Sequence, residues 1–190
     1  MGTIVGDEPW FYHNEAEWTA LVERLKLTPC PHCRTVGTLI RHGVLTGFDD
    51  QGPRPTLRAR RLFCSNRHRR TGCGRTVSVW FAEKIRRLSL TTRTLWDFLQ
   101  RVVQTSLAAA IRQTNCPRSD RTCRRIWSRF QRHQSAIRTA LLNRGPPPQS
   151  TPTPSSRPTQ AQVLAHLQSQ FSKAHCPIAA FQQANRRFLV

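Results

Sequence analysis

The sequence is poor in acidic residues and has no long apolar run. Ten Asp and Glu stand against 30 Lys and Arg in 190 residues, which gives a formal net charge of +20. No apolar run approaches the ~20 residues that a membrane-spanning helix needs. The first residues also show neither the basic start nor the apolar stretch of a secretory signal. We therefore expect no membrane partner, a cytoplasmic location and thiols that stay reduced.

The positive charge is nearly all arginine, and it is unevenly distributed. Residues 1–28 hold five acids and two bases, whereas residues 54–87 hold eleven bases and one acid. Arginine binds phosphates and guanine edges through its planar guanidinium, so this balance predicts a nucleic-acid partner. We expect that partner to contact the chain beyond its N-terminal segment.

Four of the seven cysteines have the pattern of a metal site. Residues 30–33 read Cys-Pro-His-Cys on a tight turn, and Cys64 and Cys73 follow a strand-like stretch. Four thiolates around one tetrahedral Zn²⁺ form a zinc ribbon, so we predict one structural zinc ion at Cys30, Cys33, Cys64 and Cys73. Eight residues separate Cys64 from Cys73. His68 among them is an alternative ligand to either cysteine, and two disulfides are a further alternative.

Alternating apolar and polar residues predict three strands around these cysteines. The strands span residues 36–43, 56–64 and 75–80, with Gly, Pro and Asp turn residues at 47–55. We predict an α+β protein that contains a three-stranded antiparallel zinc ribbon, whose core is so small that metal binding supplies much of its stability. Before the ribbon, Asn14 caps a short amphipathic helix that either packs on the ribbon as a lid or binds a partner.

After Ser89 the apolar residues repeat with the period of a helix. One helix contains Leu95 and Leu99, and a short one contains Leu107 and Ala110. After a turn, Ser119 caps a long helix that ends near residue 142. This order predicts an all-α helix-turn-helix bundle after the ribbon.

The long helix has an apolar face, which includes Cys123 as a core residue, and an arginine face opposite it. A merely solvated face is the alternative, although it would be expected to mix charges of both signs. We predict nucleic-acid contacts from arginines of one strand, of the insert before Cys73, and of the helix with its preceding turn. They are Arg58, Arg60, Arg67, Arg69, Arg70, Arg118, Arg121, Arg124, Arg125, Arg129 and Arg132.

The remaining chain divides into a linker and a tail. Residues 144–160 contain six prolines and no large apolar residue, which predicts an extended, unpacked linker. Residues 161–190 contain two short apolar patterns that either fold back on the body or dock into a partner protein. The predicted organisation is therefore five segments: an N-terminal helical segment (1–27), the zinc ribbon (28–81), the helix-turn-helix domain (82–143), the linker (144–160) and the tail (161–190).

The order Cys30 to Cys33, a basic strand into Cys64, then Gly72-Cys73-Gly74 and a helix-turn-helix resembles modules of bacterial transposases and transposon-associated accessory proteins. The resemblance covers residues 28–142. It implies sequence-specific binding of double-stranded DNA at the ends of a mobile element, in the nucleoid. It also implies a recombinase or transposase as the protein partner, for which the tail is the predicted docking segment.

The residue content predicts a binding protein without catalytic activity. Transposition by the acidic mechanism needs three carboxylates that hold two metal ions, and the ten acids are scattered. The only tyrosine, Tyr12, lies in an acidic aromatic stretch without the Arg and His cluster of a tyrosine recombinase. Two alternatives stay open: a transcriptional repressor with the same DNA-binding parts, and an RNA-binding zinc-ribbon protein that stacks bases on Phe63, Trp80 or Phe81.

Overall fold

A computed structural model describes residues 9–113, 119–149 and 158–190. The described part is α+β, with a four-stranded mixed sheet and six helices. In chain order the elements are β1 (Trp10–Tyr12), α1 (Glu15–Lys26), β2 (Leu39–Asp49), β3 (Gly52–Cys64), β4 (Thr76–Phe81), α2 (Thr92–Gln104), α3 (Leu107–Gln113), α4 (Asp120–Leu142), α5 (Pro158–Gln170) and α6 (Pro177–Asn185).

The sheet differs from the predicted three-stranded antiparallel ribbon. Its strand order is β1-β4-β3-β2, and β1 pairs in parallel with β4, with Trp10 opposite Val79. The other two pairings are antiparallel, as predicted. The prediction missed β1 because three aromatic residues are too few to show a two-residue period.

The β2–β3 hairpin is longer than predicted, with Asp49 paired to Gly52 at its tip. Asp49 is buried at this tip, where it accepts hydrogen bonds from the Lys84 ammonium and the Thr56 hydroxyl. Burial alone would raise the pKa of Asp49, but these bonds and the Lys84 charge outweigh it and lower that pKa below its usual value. The carboxylate thus joins the hairpin tip to the loop after β4.

The predicted helix starts at Asn14 and Ser119 are confirmed, and Thr91 caps α2 in the same way. The side chains of Asn14, Thr91 and Ser119 accept hydrogen bonds from backbone N–H groups in the first turns of α1, α2 and α4. A side-chain oxygen at this position satisfies a donor that the helix itself leaves unpaired. Each signal is local in sequence, and this is why it could be predicted.

Two buried clusters hold the fold together, and β1 contributes to both. Tyr12 packs with α1, the sheet and two of the cysteines, whereas its neighbour Phe11 packs with the helices. Helix α1 therefore lies on the ribbon as the predicted lid. We call the two clusters the sheet core (Tyr12, Trp18, Val22, Leu25, Cys30, Leu39, Leu62, Cys64 and Val79) and the helical core (the buried apolar residues of α2, α4, α5 and α6 with their neighbours).

The C-terminal tail folds back on the body. Val163, Leu167, Ile178 and Phe181 of α5 and α6 are buried in the helical core with residues of α2 and α4. The predicted order of a separate ribbon, an all-α bundle and a short tail is therefore wrong in its specifics. Docking of the tail into a partner was predicted from these apolar side chains. They are buried within the protein itself and therefore no longer favour docking.

The linker is packed where the structure describes it. The Gly145 carbonyl lies 3.1 Å from Nε2 of His166, and the Arg144 guanidinium lies 4.9 Å from the Phe171 ring centre. The start of the predicted linker therefore contacts α5 and the segment that follows it. Residues 150–157 of the predicted linker lie outside the described part.

Among the described residues, no helix combines the length and the apolar character that crossing a bilayer requires.

Candidate metal centre and basic surfaces

The four predicted cysteines come together at one end of the sheet. The Sγ atoms of Cys30, Cys33, Cys64 and Cys73 all lie within 4.8 Å of one another. Cys30 and Cys64 are buried and belong to the sheet core, while Cys33 and Cys73 lie closer to solvent. The cluster therefore closes the open end of a small hydrophobic core.

The first pair is presented by a tight turn after α1. The Arg34 N–H donates to the Cys30 carbonyl at 2.8 Å, and the His32 N–H donates to Cys30 Sγ at 3.4 Å. Arg34 takes a left-handed conformation with φ of 64°. Such a conformation is uncommon for a residue with a side chain, so a strained turn is maintained where it brings the two thiols together.

The second pair forms a similar turn despite the eight-residue separation. The Gly72 N–H donates to the Ser65 carbonyl at 3.0 Å, so the chain leaves after Ser65 and returns at Gly72. The Gly74 N–H then donates to the Cys64 carbonyl at 2.9 Å, and Gly74 has a φ of 72°, which matches the left-handed residue of the first turn. Ser65 and Gly72 thus occupy the two positions between the cysteines, and residues 66–71 form a loop that projects from the turn.

Gly72 is required at the base of this loop. A Cβ atom at this position would lie 2.2 Å from the Ser65 carbonyl oxygen and 2.9 Å from the Cys64 carbonyl carbon. Both are backbone atoms that cannot rotate away. The sequence shows the Gly72-Cys73-Gly74 motif. It does not show the contact with Ser65 that requires glycine at position 72.

The sulfur geometry fits a tetrahedral metal ion. The Sγ atoms of Cys30 and Cys73 lie 3.9 Å apart, and those of Cys33 and Cys64 lie 3.6 Å apart. A tetrahedral metal with thiolate bonds of about 2.3 Å separates its sulfur ligands by about 3.8 Å, whereas a disulfide bond is about 2.05 Å long. The disulfide alternative therefore fails. Within the described ranges His68 is not part of any such ligand group.

Burial and hydrogen bonds to sulfur shift the pKa values of Cys30, Cys33 and Cys73 in different directions. Burial raises the pKa of Cys30 to about 12 and also raises that of Cys73. Hydrogen bonds from the side chain and the backbone of Thr35 lower the pKa of Cys33 to about 6. The Thr38 hydroxyl lies 3.1 Å from Cys64 Sγ. Sequence analysis missed both threonines, since no spacing rule marks such outer partners.

The loop of residues 66–71, which we call the basic loop, is exposed and strongly cationic. It contains the predicted residues Arg67, Arg69 and Arg70, all exposed, and the Arg67 guanidinium lies 5.6 Å from the Phe63 ring centre. His68 and Arg69 have φ values of 52° and 65°. Its two ends meet next to Cys64 and Cys73, so the cysteine cluster lies at the base of the loop.

Two of the predicted nucleic-acid residues are engaged within the protein. Arg58 is buried, and its guanidinium donates to the carbonyls of Phe48 at 3.1 Å and of Ile85 and Leu88 at 2.5 Å each. It therefore belongs to the interior, and the prediction of a nucleic-acid contact is corrected for this residue. The strand pattern could not reveal this, because the three carbonyls come from other parts of the chain.

Arg60 is half-buried beneath α1. Its guanidinium donates to the Glu15 carboxylate at 2.6 Å and 3.1 Å and lies 5.1 Å from the Trp18 ring centre. A phosphate would have to compete with Glu15 for this side chain.

Helix α4 presents the remaining described arginines of the prediction. Its buried residues, Cys123, Ile126, Trp127, Phe130, Ile137 and Leu141, face the helical core as predicted. Arg121, Arg124, Arg125 and Arg132 are exposed and Arg129 is half-buried. No ion pair joins any of the five to another described residue. Helix α3 packs against both α2 and α4, while the predicted turn, with Arg118 and Cys116, lies outside the described residues.

No family model, curated protein or solved structure matches this chain. Its function must therefore be inferred from its own residues.

Proposed function

We propose that this chain is a sequence-specific DNA-binding accessory or targeting protein of a mobile genetic element, with a structural zinc ion in the four-cysteine cluster. The observation that carries the proposal is the arginine face of α4. On this face Arg121, Arg125 and Arg132 are exposed and Arg129 is half-buried, while the opposite face is buried. The role in a mobile element is the one implied by the transposase-like order of motifs.

The arginine face suits a DNA groove in size and charge. Arg121 and Arg132 are eleven positions apart on one helix, which corresponds to about 16 Å along the axis. The major groove admits an α-helix, and arginine is the side chain that most often reads guanine there. Arg121 and Arg125, near the start of α4, are the proposed base-reading residues, and Arg129 and Arg132 lie further along towards the backbone.

The basic loop supplies a second, sequence-independent contact. Three exposed arginines within four residues concentrate charge without any acidic neighbour in the loop. Contacts of this kind bind phosphates and fix the position of a protein on its duplex. Zinc fits the cluster because it prefers four thiolates in tetrahedral geometry, and in this site it would hold the base of the loop without taking part in chemistry.

Several carboxylates of the described residues are engaged in structural contacts, which supports a binding role. Asp49 pairs with Lys84, and Glu15 pairs with Arg60. Asp50 accepts a hydrogen bond from the Thr91 N–H at the start of α2. None of these contacts brings three carboxylates to one point.

Two groups of arginine substitutions test the proposal against duplex DNA. Arg125→Ala should cost about 1–3 kcal/mol of binding free energy and relax the preference at particular base pairs, whereas Arg70→Ala should weaken all sequences alike and lower the salt slope by about one. Arg138→Ala is the matched control, because Arg138 is exposed on α4 but lies away from the arginine face. The affinities of the selected site and of random duplex are measured across a salt series. Equal losses for both duplexes in every variant would contradict sequence-specific binding.

A further inference from the structure

A cleft opens beside the first cysteine turn, at the edge of the sheet. Its volume is about 270 Å³, and it is lined by residues of β1, of β4 and of the first cysteine turn, with Phe188 from the C-terminal end of the chain. Trp10 and Trp80 both line it and are only half-buried. Trp10 also packs against the sheet core and Trp80 against the helical core, and the Arg186 guanidinium lies 5.4 Å from the Trp10 ring centre. Each tryptophan therefore leaves only part of its ring to the open space.

One wall of the cleft is the edge of β4 at residues 76–78, with which no strand among the described residues pairs. Residues 76–78 of β4 pair with β3 on one side, but β1 reaches β4 only from Val79 onward. The same three residues line the cleft. Backbone donors and acceptors on such an edge are available to a ligand.

The charge of the lining selects the kind of ligand. Arg86 and His32 are both exposed and line the cleft, and the lining residues that the structure describes include no Asp or Glu. Hydroxyl groups of Thr76 and Ser78 add further polar partners. A ligand that fits has a flat ring to stack, polar edges to hydrogen-bond and a negative charge for Arg86.

We infer that this cleft binds one unpaired nucleobase of the nucleic-acid partner, with the adjoining phosphate on Arg86. Stacking on aromatic side chains combined with arginine contacts is the general way in which proteins hold unpaired bases. An extended peptide would need a longer free edge to add as a strand, and among the described residues this edge has three residues. The inference rests on the proposed nucleic-acid binding and adds that the partner has an unpaired base next to its duplex.

Three DNA hairpins test the inference at one fixed salt concentration. The first has a blunt end, the second carries three unpaired thymines, and the third carries three abasic sites in their place, which add the same phosphates without bases. The overhang is placed at the 5′ end and at the 3′ end in separate probes. We expect at least about fivefold tighter binding of the thymine overhang than of the abasic overhang at one of the ends.

Two substitutions test whether the preference for the thymine overhang arises in the cleft. Trp10→Ala should abolish the preference for thymine over abasic overhang. Arg86→Gln, a change at an exposed side chain, should weaken both overhang probes more than the blunt hairpin. Arg87→Gln is the matched control, because Arg87 is exposed next to Arg86 but does not line the cleft, and it should affect all three probes equally.

The outcomes separate this inference from the proposed function. Tight binding of the blunt hairpin with equal affinity for thymine and abasic overhangs would contradict base binding in the cleft. It would leave the proposal of duplex binding intact. A thymine preference that survives both Trp10→Ala and Arg86→Gln would also contradict base binding in the cleft. Binding of the thymine overhang without binding of the blunt hairpin would support the cleft and overturn duplex recognition, and loss of binding to every probe would overturn both.

Discussion

Gly72 shows how one residue determines whether the second cysteine turn can close. Its hydrogen bond to Ser65 is possible only because no side chain separates the two backbones. Gly72→Ala should therefore reduce the zinc content of the purified protein and lower its stability by about 1–3 kcal/mol, the usual cost of overpacking. Gly52→Ala is the control, since no atom lies within 4 Å of a Cβ at that site. Metal analysis and thermal unfolding measure both effects, and a Gly72→Ala protein with full zinc content and an unchanged Tm would contradict the closed turn.

Arg58 illustrates a charged residue whose role is structural. Its guanidinium satisfies three carbonyls from the β2–β3 hairpin and from the segment between β4 and α2. Arg58→Ala would leave buried acceptors unpaired, so we expect at least about 2 kcal/mol lower stability. Arg61→Ala, at the exposed residue of the same strand, should stay within about 0.5 kcal/mol. Thermal unfolding of the two variants checks the prediction, and equal Tm values for both would show that Arg58 is not held as described.

At the scale of elements, the features that could be predicted are those encoded within a few residues. The caps at Asn14 and Ser119 and the apolar face of α4 are local patterns, and they are confirmed. The cysteine cluster could be predicted because metal chemistry restricts its spacing. The pairing of β1 with β4 and the closure of the loop between Ser65 and Gly72 depend on residues far apart in the chain or on backbone contacts, and no local pattern reports them.

Helices α5 and α6 belong to the helical core, and this position has a measurable consequence. Phe181 is fully buried, and the neighbouring Gln182 donates through Nε2 to the Ala82 carbonyl at 2.9 Å. Phe181→Ala should lower stability by about 3–5 kcal/mol, and deletion of residues 161–190 should lower it further. Phe48→Ala is the matched control, because Phe48 is 58% exposed.

Thermal unfolding and a pull-down distinguish the two roles of this tail. A tail that serves only to dock a partner would leave the Tm unchanged on deletion while the partner is lost. A large fall in Tm, as we expect, assigns the apolar residues of the tail to the fold.

At the scale of the whole molecule, the two cores would depend differently on a metal ion bound by the cysteine cluster. Cys30 and Cys64 are part of the sheet core, whereas the helical core contains none of the four clustered cysteines. The cores are joined through β1, in which Phe11 and Tyr12 pack on different sides, and through Arg58, which reaches from β3 to the segment before α2. Loss of the metal should therefore begin at the sheet core and weaken the helical core indirectly.

Removal of zinc tests the prediction that the sheet core unfolds before the helical core. We expect one zinc ion per chain in the purified protein, and Cys30→Ser or Cys73→Ser should abolish its binding, since three thiolates hold zinc far less well than four in a structural site. A strong chelator should remove the ion and unfold the sheet core while much of the helical circular-dichroism signal remains. Cys123→Ser is the matched control, because Cys123 is buried in the helical core outside the cluster. It should lower the Tm but retain one zinc ion per chain, whereas purified protein without zinc, or with a spectrum that a chelator leaves unchanged, would contradict a structural metal centre.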